Sequence, residues 1–136
     1  MKVYVLDASA LIRYLSNGSG EEKVHALLQR AAKSEVRVLI SVINWGEALY
    51  SLAKVAGLGN AAADLKAMGA FVESVAADET LAKAAAIVRL HYKLGYADWF
   101  AAALAMGMDA TLVSSDPDFA KLGKNLKVLA LPRHSG

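Results

Sequence analysis

The sequence has 136 residues with a formal net charge of +2, and 56% of its side chains are hydrophobic while 21% are charged. A chain of this length and composition can bury a sizeable core, which excludes a disordered chain and a collagen-like repeat. Cysteine is absent and the three histidines are far apart, which excludes disulfides and thiolate metal sites and argues against a structural zinc module.

The hydrophobic pattern alternates between β-rich runs and segments with helical spacing. In chain order it predicts a strand over 3–6, helices over 8–15 and 21–33, a strand over 36–43, helices over 44–56 and 60–70, a short strand over 71–76, helices over 79–93 and 97–106, a strand over 110–115, a helical turn opened by 116–118, a strand over 126–131 and a frayed tail over 132–136. This alternation is typical of parallel sheets covered by helices. We therefore expect an α/β fold in a single three-layer domain, residues 1–136, with a parallel β-sheet of four to five strands flanked by helices.

The chain shows neither the apolar core of a signal peptide nor a bilayer span. Its opening segment, MKVYVLDAS, reaches an aspartate at residue 7. The longest strongly apolar run covers 99–108, whereas a spanning helix needs about twenty residues. We therefore expect a soluble cytoplasmic protein with no membrane contact. Because the apolar fraction is high, part of the surface is expected to meet another copy or another chain.

Acidic residues fall at the ends of predicted strands. Asp7 follows the first strand, Glu47 lies in the first turn of the helix after the second strand, and Asp98 opens the helix 97–106. Asp116 follows the strand 110–115, with Asp118 two residues later. Ligands of parallel sheets bind beyond the carboxyl ends of the strands, so we expect these side chains at one edge of the sheet.

Each acidic residue also has a purely structural interpretation. Asp7 and Asp116 are suitable N-caps for the segments that follow them. Asn44 and Glu47 form an N-x-x-E pattern that is close to a capping box, and Asp98 is favoured by the helix dipole. Taken singly, each of these structural interpretations is favoured over a functional one.

Taken together, four carboxylates at one edge would repel each other, and helix amino termini offset only about 0.3–1 kcal/mol apiece. Asp7 also ends a buried apolar run, where an unpaired charge is most costly. A divalent cation would relieve this repulsion. Oxygen ligands without Cys or His suit Mg²⁺ or Mn²⁺, and a water on such an ion can attack a phosphodiester.

The segments that carry these residues resemble the PIN-domain ribonucleases, in particular the VapC-type toxins of bacterial and archaeal toxin–antitoxin pairs. The resemblance covers nearly the whole chain and rests on VYVLDASALIRYL, NWGEAL, GYADWFAAALA and LVSSDPDFAKL. It implies a central parallel sheet, an Mg²⁺- or Mn²⁺-dependent endoribonuclease activity on RNA, and a cognate antitoxin. In the family's pattern the helices over 21–33, 44–56 and 60–70 form a homodimer face and a groove for the antitoxin, whereas packing within the chain would account for much of the same surface.

The resemblance also implies roles for individual residues. The family's catalytic, metal-binding acidic positions correspond to Asp7, Glu47, Asp98 and Asp116. Asp118 matches a further acidic position that holds a metal through water. Ser9, and Ser114 or Ser115, match hydroxyl positions that orient the carboxylates or the scissile phosphate, although many relatives have threonine or asparagine where SSD stands here.

Residues outside the acidic set are candidates for RNA contacts. Without the four acidic positions, 15 basic residues face 9 acidic ones, a balance of +6 that suits a phosphate backbone. Arg13 is a candidate phosphate contact, and a solvated helix face is an equally good interpretation of it. Trp45, Tyr96 and Trp99 flank acidic residues and are candidates for stacking on a base, although aromatics at such positions are more often core or interface residues.

Three other functions are weighed against the nuclease. A phospho-accepting receiver domain needs an adjacent acidic pair after its first strand and a lysine after its last, and Asp7 stands alone. A haloacid-dehalogenase-like phosphatase needs Asp-x-Asp where Asp7-Ala8-Ser9 stands. A module that binds RNA or a partner without cleavage would gain nothing from four repelling charges.

Overall fold

The computed structural model describes residues 1–132, so most of the predicted tail, 133–136, lies outside the described part. The strands are β1 (Lys2–Leu6), β2 (Val36–Ser41), β3 (Glu73–Val75), β4 (Thr111–Ser114) and β5 (Lys127–Ala130). The helices are α1 (Ala8–Leu15), α2 (Glu21–Ala32), α3 (Val42–Ala56), α4 (Leu58–Met68), α5 (Glu79–His91) and α6 (Tyr96–Gly107), and a 3₁₀ segment covers Pro117–Asn125. Within residues 1–132, no helix has the length and apolar character that a membrane crossing requires.

The five strands form one parallel sheet in the order β3-β2-β1-β4-β5. The chain builds outward from β1 to β3, then returns to the other side of β1 and builds outward to β5. All strands therefore end at the same side of the sheet. We call this side the carboxyl edge; Leu6, Ser41 and Ser114 end their strands there.

Side chains of the central strand point alternately into two cores. Tyr4 and Leu6 pack with apolar residues of α1, α2 and α4, whereas Val5 packs with those of α5, α6 and the 3₁₀ segment. Burial on both faces explains why the run VYVL has no polar alternation. The expected three-layer α/β fold, a five-stranded parallel sheet flanked by helices, is confirmed.

The junction of β2 and α3 differs from the sequence prediction by two residues. β2 ends at Ser41 rather than residue 43, and α3 begins at Val42 rather than residue 44. The Ser41 hydroxyl caps the helix by accepting a hydrogen bond from the Asn44 backbone N–H at 3.2 Å. Two β-branched residues after the cap made this first turn look like strand. Asn44 is therefore not the N-cap, and Glu47 lies in the second helical turn rather than the first.

Near two glycines the helix bounds differ from the prediction by one or two residues: α4 begins at Leu58 rather than residue 60, and α6 ends at Gly107 rather than residue 106. Gly57, with a φ of 87°, ends α3 and also precedes the first residue of α4, so Gly59 lies inside α4 rather than after α3. Gly107 is the last residue of α6. The helical turn predicted at 116–118 continues as the 3₁₀ segment to Asn125. These differences leave the order of elements unchanged.

Candidate active site

Asp7 lies directly after the central strand and is 4% exposed. Its Oδ1 accepts a hydrogen bond from the Ala10 backbone N–H at 3.0 Å, so Asp7 does cap α1 as the structural interpretation supposed. The carboxylate also accepts hydrogen bonds from two hydroxyls, Ser9 Oγ at 2.6 Å on Oδ1 and Ser114 Oγ on Oδ2. Burial raises the pKa of Asp7 in spite of these hydrogen bonds, which lower it.

The two serines join the start of α1 to the end of β4. Ser114 Oγ accepts a hydrogen bond from the Asp116 backbone N–H at 2.9 Å while it donates to Asp7. Ser9 Oγ accepts one from the Ser115 backbone N–H at 3.0 Å. Ser9 and Ser114, which were predicted to orient a carboxylate, thus donate hydrogen bonds to Asp7. Ser115 takes part only through its backbone N–H, which donates to Ser9 Oγ. Asp7 and Asp116 are held in one hydrogen-bonded cluster although they are distant in sequence.

Glu47 and Asp98 reach the same edge from two helices. Glu47 is exposed on the second turn of α3, and its carboxylate accepts a hydrogen bond from the Asn44 side chain. Partial burial, followed by the charges of Asp7 and Asp116, raises the pKa of Glu47. Asp98 is half-buried in the first turn of α6. Burial, followed by the charges of Asp116, Asp7 and Glu47, raises the pKa of Asp98 to about 7.

These mutual effects show that the structure brings the four predicted acidic residues together at the carboxyl edge. Among the ion pairs formed within residues 1–132, none involves any of the four. Asp118 lies to one side: it is exposed, and its carboxylate is 3.7 Å from Lys121 Nζ. Only its backbone N–H contacts the cluster, by donating to Asp116 Oδ1 at 2.9 Å.

The chemistry of this donor set fits a hard divalent cation. Repulsion between the carboxylates is unrelieved, and oxygen donors of this kind are ligands for Mg²⁺ and Mn²⁺. Within residues 1–132, however, no group of three or more acidic or histidine side chains already has the spacing that would hold one ion. A bound cation would therefore have to draw the carboxylates closer together than they stand.

The candidate RNA contacts differ in their surroundings. Arg13 Nη1 donates to the carbonyls of Ser19, at 2.9 Å, and Pro132, so its guanidinium joins the loop after α1 to the segment after β5. Trp45 is half-buried against the core, and Trp99 Nε1 donates to the Leu94 carbonyl at 3.0 Å. Tyr96 is 60% exposed, with its ring edge-to-face with Trp99 at a centroid distance of 5.0 Å. Of the three aromatics, Tyr96 has the most accessible ring.

Sequence reasoning missed Asn44 as a residue of this site. Its side chain is fully buried one helical turn before Glu47, and its Nδ2 donates to the Ala97 carbonyl at 3.1 Å. The signal was present as Ser41-x-x-Asn44, a capping-box spacing with asparagine in place of Glu or Gln. The link to Ala97 had no local signal, because the two residues are 53 positions apart.

Comparisons with known proteins bear on the family and on the fold. The family model described as PIN domain matches residues 4–125. A DNA-bound VapBC structure from Salmonella typhimurium is similar with a TM-score of 0.76 and 16% identity, covering 96% of this chain and 98% of that one. A VapBC-5 structure from Mycobacterium tuberculosis, a member of the VapBC family of toxin–antitoxin systems, gives 0.63 and 22%, covering 97% and 99%.

A third structure, VapC20 from Mycobacterium tuberculosis, is described as a toxin that cleaves the sarcin–ricin loop. It is similar with a TM-score of 0.68 and 17% identity, covering 88% of this chain and 95% of that one. Comparison with curated protein sequences gave no significant match. The structural likenesses therefore concern the fold, and the family rests on the match to the PIN domain model.

Proposed function

This chain belongs to the PIN domain family, and on that basis we propose that it is an Mg²⁺- or Mn²⁺-dependent endoribonuclease, the toxin of a type II toxin–antitoxin module in the cytoplasm. Residues 1–136 together form the nuclease domain in this proposal. The observation that carries it is the cluster of Asp7, Glu47, Asp98 and Asp116 at one edge of the sheet, where burial, followed by their mutual charges, raises the pKa values of Glu47 and Asp98. A fold without a charged ligand gains nothing from such a cluster.

The mechanism assigns a separate task to each side chain. Asp7, Asp98 and Asp116 would hold the cation, which when bound would supply positive charge for the scissile phosphate and lower the pKa of the attacking water. Glu47, at the exposed rim, accepts the proton from that water. Ser9 and Ser114 keep the Asp7 carboxylate oriented and favour its ionised form, because both donate hydrogen bonds to it.

RNA is the proposed substrate. VapC20, one of the structurally similar proteins, is described as a toxin that cleaves the sarcin–ricin loop, which supports RNA as the substrate of a chain of the same fold. Once the four site carboxylates are set aside, the remaining side chains have an excess of positive charge that favours a phosphate backbone. Arg13 stays a proposed phosphate contact, and Tyr96 is the aromatic best exposed for stacking on an unpaired base.

An antitoxin and a second copy of the chain are the proposed partners. Complexes of the VapBC family are among the similar structures, which supports an antitoxin. Large apolar side chains are exposed where α3 meets α4: Tyr50 at 64%, Val55 at 90% and Leu58 at 65%. Such a patch is typical of a surface that another chain covers.

The decisive experiment replaces Asp98 by asparagine, which has the same shape and no charge. We expect Asp98→Asn to reduce Mn²⁺-dependent cleavage of RNA about 100-fold or more, because a ligand of the proposed cation is lost. Asp64→Asn, an exposed change on α4, is the matched control and should cleave like the wild type. Cleavage that persists in EDTA, or an Asp98→Asn protein with full activity, would contradict the proposal.

The second candidate function is a PIN-like module that binds RNA or a partner without cleavage. It is favoured by one observation: within the described part of the chain, no three acidic side chains stand at the spacing of a metal site. In the same assay this module would retain RNA, and the RNA would keep its length at every Mn²⁺ concentration. The receiver and phosphatase alternatives lose their support, since the chain matches the PIN domain model over 4–125.

A further inference from the structure

A fully buried asparagine joins the two helices that carry Glu47 and Asp98. Asn44 lies in the first turn of α3 with 0% exposure. Its Oδ1 accepts a hydrogen bond from Ser41 Oγ at 2.6 Å, and its Nδ2 donates to the Ala97 carbonyl at 3.1 Å. The same amide donates to the carboxylate of Glu47. The Asn44 amide thus uses its one acceptor, Oδ1, and its two N–H donors on three different partners.

Each of these partners belongs to the carboxyl edge. Ser41 is the last residue of β2, Ala97 directly precedes Asp98 in the first turn of α6, and Glu47 is one helical turn after Asn44 itself. The amide therefore connects a strand end, a helix start and a site carboxylate.

No other residue of similar size could make the same three hydrogen bonds. An aspartate has no N–H donor and would add a fifth negative charge beside Glu47. A serine has one O–H donor for two acceptors. Alanine would remove the acceptor of the Ser41 O–H and the donor to the part-buried Ala97 carbonyl, and only the backbone N–H of residue 44 would still donate to Ser41 Oγ. The requirement for two donors and one acceptor is specific to an amide.

We propose that Asn44 is a positioning residue, which fixes Glu47 relative to Asp98 so that both act on the same cation and the same phosphate. Asn44 itself touches neither. This inference rests on the proposed function, since it concerns the geometry of that site. Partners that orient metal ligands typically change metal affinity or activity about 10–100-fold when they are removed.

The first test measures metal binding without RNA. Mn²⁺ is titrated against the melting temperature of the wild type and of Asn44→Ala, because a ligand that binds the folded state raises that temperature. We expect the Mn²⁺ concentration for a half-maximal shift to rise about tenfold in Asn44→Ala. Asn60→Ala is the matched control: it removes an Nδ2 hydrogen bond of 2.8 Å to the Ala56 carbonyl, on the exposed side of α4. Its Mn²⁺ concentration should stay at the wild-type value.

The second test separates positioning from a merely structural role. In RNA cleavage at saturating Mn²⁺, Asn44→Ala should lower kcat about tenfold or more and leave KM for RNA within about threefold, since binding of RNA does not depend on the amide. In the Glu47→Gln background, the further effect of Asn44→Ala should be smaller than in the wild type, because part of it acts through Glu47. If the fold-changes in kcat caused by Asn44→Ala and by Glu47→Gln simply multiply in the double variant, the proposal is overturned.

The outcomes distinguish this inference from the proposed function. A wild type that binds Mn²⁺ and cleaves no RNA contradicts the proposed function alone. An Asn44→Ala protein that binds Mn²⁺ and cleaves RNA like the wild type overturns the positioning role alone. If Asn44→Ala fails to fold, Asn44→Ser replaces it, because its hydroxyl serves only one of the two acceptors. Wild-type Mn²⁺ affinity and kcat in a folded Asn44→Ser protein would equally overturn the proposal.

Discussion

The pKa of Asp98 reports both its burial and its repulsion by the other carboxylates at the carboxyl edge. Burial, together with the charges of Asp116, Asp7 and Glu47, raises its pKa from 3.8 to about 7. Between these two values the folded protein binds a proton at Asp98 that the unfolded chain does not. The corresponding stabilisation is complete below about pH 4 and is lost as the pH rises through about 7.

The expected result is a melting temperature that falls between pH 5 and pH 8 when the protein is kept in EDTA. Asp98→Asn should flatten this fall, because an amide does not titrate in that range. Asp7 and Glu47, whose pKa values are also raised, contribute a slope of the same sign that remains in this variant. Glu73 does not interfere, since Arg37 lowers its pKa and moves its titration to more acidic pH. A wild-type melting temperature independent of pH would contradict the shift of Asp98.

Ser114 is the second residue from which a measurable effect follows. Its hydroxyl donates to the Asp7 carboxylate and accepts from the Asp116 backbone N–H, so Ser114→Ala removes one hydrogen bond from each of two site residues. We expect the Mn²⁺ affinity, measured by calorimetry, to fall about tenfold or more. Ser16→Ala is the control, because it removes a hydroxyl hydrogen bond of 2.6 Å to the Ile12 carbonyl at the exposed end of α1. Equal affinities in the two variants would contradict the role of Ser114.

The acidic residues could be predicted from sequence because each one is marked locally, by the end of a strand or the start of a helix. Asp7 after VYVL and Asp116 after a β-rich run needed no knowledge of distant contacts. Asp7 caps α1 and also belongs to the hydrogen-bonded cluster, so its structural interpretation is confirmed, and its functional interpretation stays a prediction compatible with that role. Asn44 could not be found in this way, because its partner Ala97 comes close only when α3 packs on α6.

At the scale of elements, the sequence predicted every strand and helix in order and failed at junctions. The strand predicted over 36–43 ran two residues too far, since Val42 and Ile43 are β-branched and the Ser41 cap was not recognised. The α3–α4 junction was misjudged because Gly57 serves both helices. Junctions depend on which side chain reaches which backbone group, and hydrophobic periodicity does not report that.

Replacing Gly20 and Gly46 by alanine should change the free energy of unfolding in opposite directions. Gly20 has a φ of 87°, and a Cβ there would lie 2.9 Å from Pro132 Cδ and 3.1 Å from the Leu131 side chain. Gly20→Ala should therefore lower the free energy of unfolding by about 2 kcal/mol. Gly46 lies inside α3, and a Cβ added there would have no neighbour from residues 1–132 within 4 Å. Gly46→Ala should therefore raise the free energy of unfolding by about 0.5–1 kcal/mol. Urea denaturation measures both, and a stabilised Gly20→Ala protein would contradict the close approach.

At the scale of the whole molecule, the net charge of +2 conceals an uneven distribution. Four of the 13 acidic residues are gathered at the carboxyl edge, so the basic residues outnumber the remaining acidic ones by 15 to 9. A surface of this kind attracts a phosphate backbone, whereas the acidic cluster repels it until its charge is neutralised. We infer that RNA affinity depends on salt and on the divalent cation in different ways.

We expect the affinity of Asp98→Asn for a short single-stranded RNA to fall as monovalent salt increases, with a slope in log–log form of about −0.7 per phosphate contacted. Fluorescence anisotropy at constant Mg²⁺ measures this slope. The Asp98→Asn variant is used because it should not cleave the probe during the titration. An affinity unchanged over a tenfold range of salt would contradict electrostatic binding of the backbone.

The strand order has a consequence for the protein during its own synthesis. Asp7 and Glu47 are translated early, but Asp116 follows the fourth strand, which pairs with the first at the centre of the sheet. A nascent chain therefore carries no complete acidic cluster until β4 has left the ribosomal exit tunnel and docked beside β1. For a nuclease of RNA, this late assembly would protect the message and the ribosome that are producing it.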